Sequence, residues 1–303
     1  MRITNQTLNK NYLRNLNKNL EKMKTYQNQI SSGQEVSRPS DDPLLVSKIM
    51  SLENNILQNE QYNTNINNTL GWVQTQDTAL SDVTRTLQRV RELIVYGSNG
   101  TLSDTDRNAI KDEVQMKIGQ LADILNTNFD GRYIFGGQKT TESPFDENMN
   151  YIAGDDNNVT REISKGVTIE IPTAGSQITK LDSNYSLSDE ENKDLGTFLE
   201  NVVSALKDGS ADTLSKNLLA DMDQHLDNVI RVRSQIGAVY NRLESAKDRN
   251  ETENLNLNSL LSQRQDVDVA EKYMEFSNMK AVYQASLSVG AQILQPSLLD
   301  YLR

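Results

Sequence analysis

The sequence predicts a mainly α protein: an elongated antiparallel helical bundle or coiled-coil rod formed by the N- and C-terminal halves, with a small β-rich inserted domain. Three observations predict this fold. Apolar residues recur at alternating steps of four and three on both sides of the middle of the chain. The middle itself contains short runs of strand-forming residues between turn residues. The composition, with one Trp and five Phe among 303 residues, suits long surface-rich helices better than a compact globule.

Charge and the scarcity of reactive residues exclude several classes of function. The chain has 42 acidic against 31 basic residues and a net charge of -11, which repels nucleic acid and anionic membranes. It contains no cysteine and a single histidine, His225, which excludes Cys–His pairs and leaves little basis for zinc clusters or Ser–His triads. We therefore predict no catalytic, cofactor or metal site, and neither nucleic acid nor a membrane as a partner.

The apolar runs are too short for a membrane span or an ordinary signal peptide. The longest is "LIVY" at residues 93–96. The first twenty residues carry Asn and Lys where a signal peptide needs its apolar stretch. We therefore expect no cleavable signal peptide for general secretion at the usual place.

The N-terminal half predicts an assembly helix and loop over residues 1–41, then one half of the helical rod over residues 42–137. In the first segment, heptad spacing relates Leu16, Leu20, Met23 and Ile30. After Pro43, ten of the 15 positions reached by steps of four and three are Ile, Leu or Val, which predicts one helix as far as residue 96. The glycines of "GSNGTLSD" end it, and a second helix begins after Leu102 with Ser103 or Asp104 as its cap. The short connection favours an antiparallel pair.

The middle of the chain, residues 138–190, predicts a β-rich insert. It follows "GRYIFGG", three bulky strand formers between glycines, which predicts a strand that leaves the helices. Short β-type runs then alternate with the turn sequences "GDDNN", "KG" and "PTAG". Because the periodicity changes here, we expect an outward-facing domain that the helices do not need for folding.

The C-terminal half predicts the other half of the rod over residues 191–264 and a C-terminal assembly helix over residues 265–303. Heptad spacing in the last segment relates Val269, Tyr273, Phe276, Tyr283, Leu287 and Leu294. A second apolar stripe flanks the first, so one partner helix would not cover the surface. Ordering the backbone costs about 1–2 kcal/mol per residue. We therefore expect the termini to fray in a lone subunit and to become ordered when further subunits cover them.

The loop "VSRPSDDPLL" raises the question of a metal or catalytic site. Asp41 and Asp42 could bind a hard cation, and Ser40 could be a nucleophile if a base lay nearby. An architectural role explains the same residues better. Asp42 suits the N-cap and Pro43 the first helical position, where the missing N–H costs nothing. We favour this interpretation of Ser40, Asp41, Asp42 and Pro43 as a helix cap and loop motif.

Three further motifs have plain structural interpretations. His225 lacks a second histidine or a cysteine, so we expect an ordinary surface or edge histidine. The sequence "GDDNN" resembles half a calcium loop but lacks the Gly at the sixth position and the late Glu, which favours a β-turn. The sequence "RYIFGG" lacks the Lys and Ser/Thr of a phosphate-binding loop, which favours a strand between hinge glycines.

Several segments resemble the flagellin superfamily. The start of the chain and "SSGQEVSRPSDDPLLVSKI" are similar to the N-terminal region of that superfamily. The segments "RELIVYGSNGTLSDTDRNAI", "LADILNTNFDGRYIFGG" and "AQILQPSLLDYLR" are similar to its hook-filament junction branch. The resemblance covers residues 1–139 and about 222–303, and the insert matches only loosely.

The resemblance implies a structural protein of the bacterial flagellum and no enzyme activity. It implies a homo-oligomeric ring between hook and filament, with a preceding hook-associated protein and flagellin as neighbours. It also implies type III export to the cell exterior, with an export chaperone bound to the C-terminal segment. The expected assembly interface comprises Leu16, Leu20, Met23, Ile30, Tyr273, Phe276, Tyr283, Leu287 and Leu294.

Other functions account for parts of the sequence. A filament-forming flagellin would share the same superfamily features, and a soluble coiled-coil adaptor would share the heptads. The adaptor leaves "PSDDP" and both chain ends unexplained. A carboxylate-based hydrolase is the remotest alternative, because no pair of acids stands out in an expected cleft.

Overall fold

The computed structural model describes residues 5–182, 185, 187 and 189–293. The chain forms two compact units. One unit comprises Met1–Gln58 together with Glu253–Arg303, and the other comprises Asn59–Thr252. Each of the two longest helices begins in one unit and ends in the other.

Long helices dominate both halves of the chain, as the heptad spacing predicts. The long helices are α1 (Asn5–Ser32), α2 (Pro43–Gly97), α3 (Asp104–Leu125), α5 (Leu195–Asp208), α7 (Leu219–Gln265) and α8 (Val269–Ile293). The short ones are α4 (Ser176–Thr179), a 3₁₀ turn (Glu190–Lys193) and α6 (Ala211–Thr213), which a π-helical turn (Leu214–Leu218) joins to α7. The prediction of a mainly α fold is confirmed.

Side chains and glycines at the helix ends explain where the helices begin and stop. Ser103 accepts the backbone N–H of Asp106 at the start of α3, at 3.2 Å. Asp194 does the same for Thr197 at the start of α5, at 3.3 Å. Helix α5 ends at Gly209, whose φ of 71° lies in the left-handed region that favours glycine. These contacts satisfy backbone groups that a bare helix end leaves unpaired.

The strands form two small antiparallel pairs. The first joins β1 (Asn128–Phe129) to β2 (Arg132–Tyr133), and the second joins β3 (Val159–Ser164) to β4 (Val167–Ile171). The strand expected over "RYIFGG" is therefore only its first two residues. The next two, Ile134 and Phe135, are buried in the core without strand pairing, because packing rather than a ladder places them.

One hydrophobic core fills the unit of residues 59–252. Helices α2, α3, α5 and α7 contribute most of it, and the insert contributes Phe145, Met149 and both strands of its hairpin. Gln76 of α2 extends this contact, since its side chain donates to the backbone carbonyls of Ile134 and Pro172 at 3.1 and 2.8 Å. The insert and the helices therefore share one core. The expectation that the helices fold without the insert stays a prediction.

Buried and charged pairs set the register of α2 against α7 within the same unit. Asn59 donates to the backbone carbonyl of Asn250, and Asn250 donates to that of Asn59, each at 3.0 Å. Both side chains are about 5% exposed. Farther along, Arg233 pairs with Asp77 at 2.7 Å and Arg91 with Asp223 at 2.6 Å. Residues later in α2 thus pair with residues earlier in α7, so the two helices run antiparallel.

His225 corrects the sequence-based expectation of a surface histidine. Its side chain is fully buried, with the ring 4.9 Å from that of Phe198. Its Nε2 lies 2.9 Å from the Asn192 carbonyl, which can only accept, so Nε2 carries the proton. Helix α5 and the 3₁₀ turn cover it, which the periodicity of α7 alone does not reveal. Burial lowers the pKa of His225 to about 4, although the hydrogen bond to Asn192 and the charge of Asp221 oppose the shift.

The first prediction concerns the amide pair. The change Asn250→Leu leaves the Asn59 Oδ1 buried without its donor, so the free energy of unfolding should fall by about 1–3 kcal/mol. The double change Asn59→Leu/Asn250→Leu removes both polar groups and should recover much of that loss. Urea titration of the parent, both single variants and the double variant measures the coupling. Strict additivity of the two losses would show that the amides do not act as a pair.

The second prediction concerns pH. The ordinary pKa of His225 is 6.5 and its folded value is about 4, so the unfolded chain binds the extra proton between these values. Stability from this group is therefore complete above pH 6.5 and is lost as the pH falls toward 4, by about 3 kcal/mol. In His225→Gln, the amide reproduces the Nε2 donor without titrating. The free energy of unfolding of the parent, minus that of the variant, should therefore fall by about 3 kcal/mol between pH 7 and pH 4. A difference that stays constant with pH would contradict the pKa assigned to His225.

Candidate assembly interface

The terminal helices α1 and α8 pack on each other as an antiparallel pair within the unit of the chain ends. A set of residues shielded from solvent recurs at heptad steps along both helices; its members are half-buried, and Gly290 is buried. We call this set the α1–α8 seam: Tyr12, Leu16, Asn19, Met23, Tyr26 and Ile30 on α1, and Lys272, Phe276, Met279, Tyr283, Ser286 and Gly290 on α8. The spacing is that of a two-helix coiled coil.

Polar contacts hold one end of the pair. The chain after α1 lies beside the chain before α8, with the Glu35 N–H donating to the Gln265 carbonyl at 2.7 Å and the Val267 N–H to the Gly33 carbonyl at 3.1 Å. Lys272 then reaches Glu35 at 3.3 Å. Burial alone lowers the pKa of Lys272, but the hydrogen bond and charge of Glu35, with help from Glu275, outweigh it and raise that pKa. The start of α8 is capped by Asp268, which accepts the Ala270 N–H at 2.9 Å.

A close approach between Tyr12 and Gly290 marks the other end of the pair. The Tyr12 hydroxyl donates to the backbone carbonyl of Ser286 at 3.0 Å. A Cβ added at Gly290 would lie 2.0 Å from the Tyr12 hydroxyl oxygen and 2.2 Å from its ring. A larger residue here would force the Tyr12 ring to shift, because the tyrosine packs directly on the helix backbone.

The seam does not bury its apolar residues fully. Among the described side chains of α1 and α8, no large apolar one is buried to the degree found in the core of residues 59–252. A helix covers only one face of its neighbour, so the flanks of both helices remain exposed. Helix α8 is apolar on both flanks.

Outside the seam, α1 and α8 expose a set of large apolar side chains that we call the outer apolar set. Its members are at least 44% exposed: Leu13, Leu20, Val269, Tyr273, Met274, Val282, Leu287 and Val289. At about 100° per residue, Leu13 and Leu20 lie on one flank of α1, about a quarter turn from the seam. On α8, Val269, Tyr273 and Leu287 lie on one flank, and Val282 and Val289 on the other. Such a concentration of exposed apolar residues is typical of an interaction surface.

The residues expected at the assembly interface divide into two groups. Leu16, Met23, Ile30, Phe276 and Tyr283 lie in the α1–α8 seam. Leu20, Tyr273 and Leu287 lie in the outer apolar set, and Leu294 lies outside the described residues.

The sequence did not predict the other residues of the seam. They include Tyr12, Tyr26, Lys272, Met279 and Gly290. The four-three spacing from Tyr12 to Ile30 was a usable signal on α1. On α8, a lysine, a serine and a glycine interrupt the apolar pattern, so counting apolar residues alone selects the neighbouring face.

The loop motif before α2 has the geometry of a helix cap. The Asp42 Oδ1 accepts the backbone N–H groups of Leu44 and Leu45, each at 3.0 Å, and Pro43 is the first residue of α2. The Asp41 N–H donates to the Arg38 carbonyl at 3.0 Å, which closes the turn before the helix. Ser40 and Asp41 are exposed. Hydrogen bonds to the first turn occupy the Asp42 carboxylate.

Within residues 5–182, 185, 187 and 189–293, no helix is long and apolar enough to cross a membrane.

Comparison with known proteins places both halves of the chain in one family. Residues 3–140 match the bacterial flagellin N-terminal helical region, and residues 219–302 match the bacterial flagellin C-terminal helical region. The flagellar hook-associated protein 3 of Salmonella typhimurium is 31% identical, over 85% of this chain and 86% of that protein. The protein of the same name from Escherichia coli K12 is 29% identical, over 94% and 96% respectively.

A solved structure supports the fold independently of sequence. The crystal structure of flagellar hook-associated protein-3 from Legionella pneumophila superposes with a TM-score of 0.62, covering 71% of this chain and 98% of that chain. At 16% identity, this likeness concerns the fold alone.

Fold and matches together define a structural protein of the bacterial flagellum rather than an enzyme. The chain belongs to the flagellin family. Within that family, its relatives include the members called flagellar hook-associated protein 3. The resemblance seen in the sequence is thereby confirmed.

The third prediction concerns the contact between Tyr12 and Gly290. The change Gly290→Ala puts a methyl group where the Tyr12 ring lies, and such overpacking costs about 1–3 kcal/mol. Amide hydrogen exchange in residues 5–32 and 269–293 should therefore be about tenfold faster than in the parent under the same conditions. Gly237→Ala is the matched control, because a Cβ at that helical glycine meets nothing within 4 Å. Unchanged exchange in Gly290→Ala would contradict the close packing of the two helices.

Proposed function

We propose that the chain assembles as a ring at the hook-filament junction and links the hook to the flagellin filament through its terminal helices. The outer apolar set carries this proposal. It lies on the two segments at the chain ends, and it exposes eight large apolar side chains that a soluble subunit would otherwise keep covered. Neighbouring subunits that pack against both flanks would remove this surface from water.

The energetics favour folding coupled to assembly. Apolar burial contributes about 25 cal/mol per Å², whereas ordering each backbone residue costs about 1–2 kcal/mol. In the α1–α8 pair, the apolar side chains are at best half-buried, so the pair gains little of the stabilisation that full burial gives. Contact with further subunits supplies the rest, and residues 1–41 and 265–303 serve as the assembly segments.

The proposed surroundings follow from this role. The ring contacts the preceding hook-associated protein on one side and flagellin on the other, outside the cell. Before assembly, an export chaperone covers the C-terminal segment, whose apolar flanks would otherwise drive association. Neither nucleic acid nor a membrane has a part in this function, consistent with the net charge of -11.

A filament-forming flagellin is the remaining alternative within the family. Immunogold labelling of intact flagella with an antibody to residues 140–180 distinguishes the two. Label confined to the distal end of the hook supports the junction role, and label along the filament supports flagellin.

The fourth prediction places a charge in the outer apolar set. Leu20 is 45% exposed in the subunit, so Leu20→Asp should leave the melting temperature of the subunit unchanged. In an assembled ring, the same carboxylate would be buried in an apolar contact, at a cost of about several kcal/mol per subunit. Cells that make the variant should export it, bear hooks without filaments and shed flagellin into the medium. Leu287→Asp should give the same result.

Two comparisons make this test specific. Asn11→Asp places the same charge at an exposed polar position on the other flank of α1, where the outer apolar set has no member, and should leave filaments normal. Phe276→Asp acts inside the α1–α8 seam and should also block assembly, while the unit of residues 59–252 keeps its melting temperature. Normal filaments on Leu20→Asp and Leu287→Asp cells would exclude the outer apolar set as the assembly surface.

A further inference from the structure

A small hollow lies where the insert meets α2, within the unit of residues 59–252. Its volume is about 220 Å³. Helix α2 supplies Asn68 and Trp72, the β1–β2 hairpin supplies Phe129, Asp130 and Arg132, and β3 supplies Arg161. The α1–α8 seam and the outer apolar set contribute nothing to it.

The walls of the hollow are held in place by specific contacts. The Tyr62 hydroxyl donates to the Glu162 carboxylate at 3.3 Å, and the Asn65 side chain donates to the Glu162 carbonyl at 3.1 Å. These bonds fix β3 on α2 and thereby position Arg161. On the other side, the Phe129 ring meets Trp72 edge-on at 6.1 Å.

Arg161 lies on the inner face of its hairpin. Residues paired directly across an antiparallel ladder share a face, so Arg161 points the same way as its buried partner Ile169 on β4. Its side chain is half-buried, and a charged group in such a place normally has a carboxylate partner. Among the described residues, neither Arg161 nor Arg132 forms an ion pair or a side-chain hydrogen bond, even though Asp130 borders the same hollow.

The surroundings disfavour the positive charge of Arg161. Burial, and after it the positive charge of Arg132, lowers the pKa of Arg161. Two arginines and Asn68 thus border one hollow, and Asp130 is the acidic residue among those that line it.

We propose that Arg132 and Arg161 form a binding site for one carboxylate group. The planar fork of a guanidinium matches the two oxygens of a carboxylate, and a bound anion would compensate both positive charges. The hollow accommodates a group the size of the end of a Glu or Asp side chain. Such a group can come from another copy of this acidic chain or from a free small carboxylate, and the chemistry is the same for both.

The single tryptophan of the chain reports on this site directly, because Trp72 borders the hollow. Purified full-length monomer is titrated with glutarate at constant ionic strength, balanced with sodium chloride, while the tryptophan emission is recorded. We expect a saturable change. Arg132→Gln and Arg161→Gln should each raise the half-saturating concentration at least tenfold. Arg85→Gln, which removes an exposed arginine elsewhere on α2, should bind as the parent does.

A second arm separates the two sources of carboxylate. If another copy supplies the group, the same emission change arises on self-assembly without glutarate, is lost in Arg132→Gln, and glutarate raises the protein concentration needed for assembly. If the ligand is a free acid, the change requires glutarate and assembly leaves the emission unaltered.

Any of three results would contradict the proposal. It is overturned if neither arm gives a saturable change, if chloride alone reproduces the change, or if Arg132→Gln and Arg161→Gln respond as the parent does. Arg132 is exposed, so its replacement keeps the test valid even if Arg161→Gln disturbs the hairpin. Arg161→Lys keeps the charge but loses the fork, and it should bind more weakly than the parent and more tightly than Arg161→Gln.

Discussion

A helix can cover only one face of its neighbour, and this constraint governs the terminal pair α1–α8. The seam uses one face of each helix, while the outer apolar set occupies the flanks. The pair therefore has more apolar surface than it can bury by itself. Its polar contacts, from Tyr12 to the Ser286 carbonyl and from Lys272 to Glu35, fix the register of the two helices without completing their burial. The proposed assembly with further subunits would complete it.

The unit of residues 59–252 differs because it is covered from several sides. Helices α3 and α5 and the insert pack on the inner faces of α2 and α7, and their side chains form one buried cluster. Polar groups in this core are paired across elements, as the Asn59–Asn250 amides and the Gln76 side chain illustrate. Such buried pairs contribute modestly to stability but make a shifted register costly, because the shift would leave them without partners. The unit can thus remain folded while the terminal helices change their surroundings.

Local sequence patterns were sufficient for the helices and for their caps. The ends of α2 and α3 follow from Pro43, Gly97 and Ser103, whose backbone preferences act locally. Contacts between segments far apart in the sequence could not be predicted from such local patterns. The α1–α8 seam includes Lys272, Ser286 and Gly290, which no apolar count selects, and it leaves Tyr273 and Leu287 exposed. His225 is buried because α5 and the 3₁₀ turn cover it, and the insert joins the core through side chains whose partners are far away in sequence.

If the proposed function is correct, the apolar side chains of α1 and α8 are fully buried only when other subunits cover them. Amide hydrogen exchange measures this most directly, in a verified monomer and in the assembled protein. We expect the amides of residues 5–32 and 269–293 to exchange fast in the monomer and slowly after assembly. The buried helices of residues 59–252 should exchange slowly in both states. Equal, strong protection of the terminal helices in the monomer would contradict this expectation.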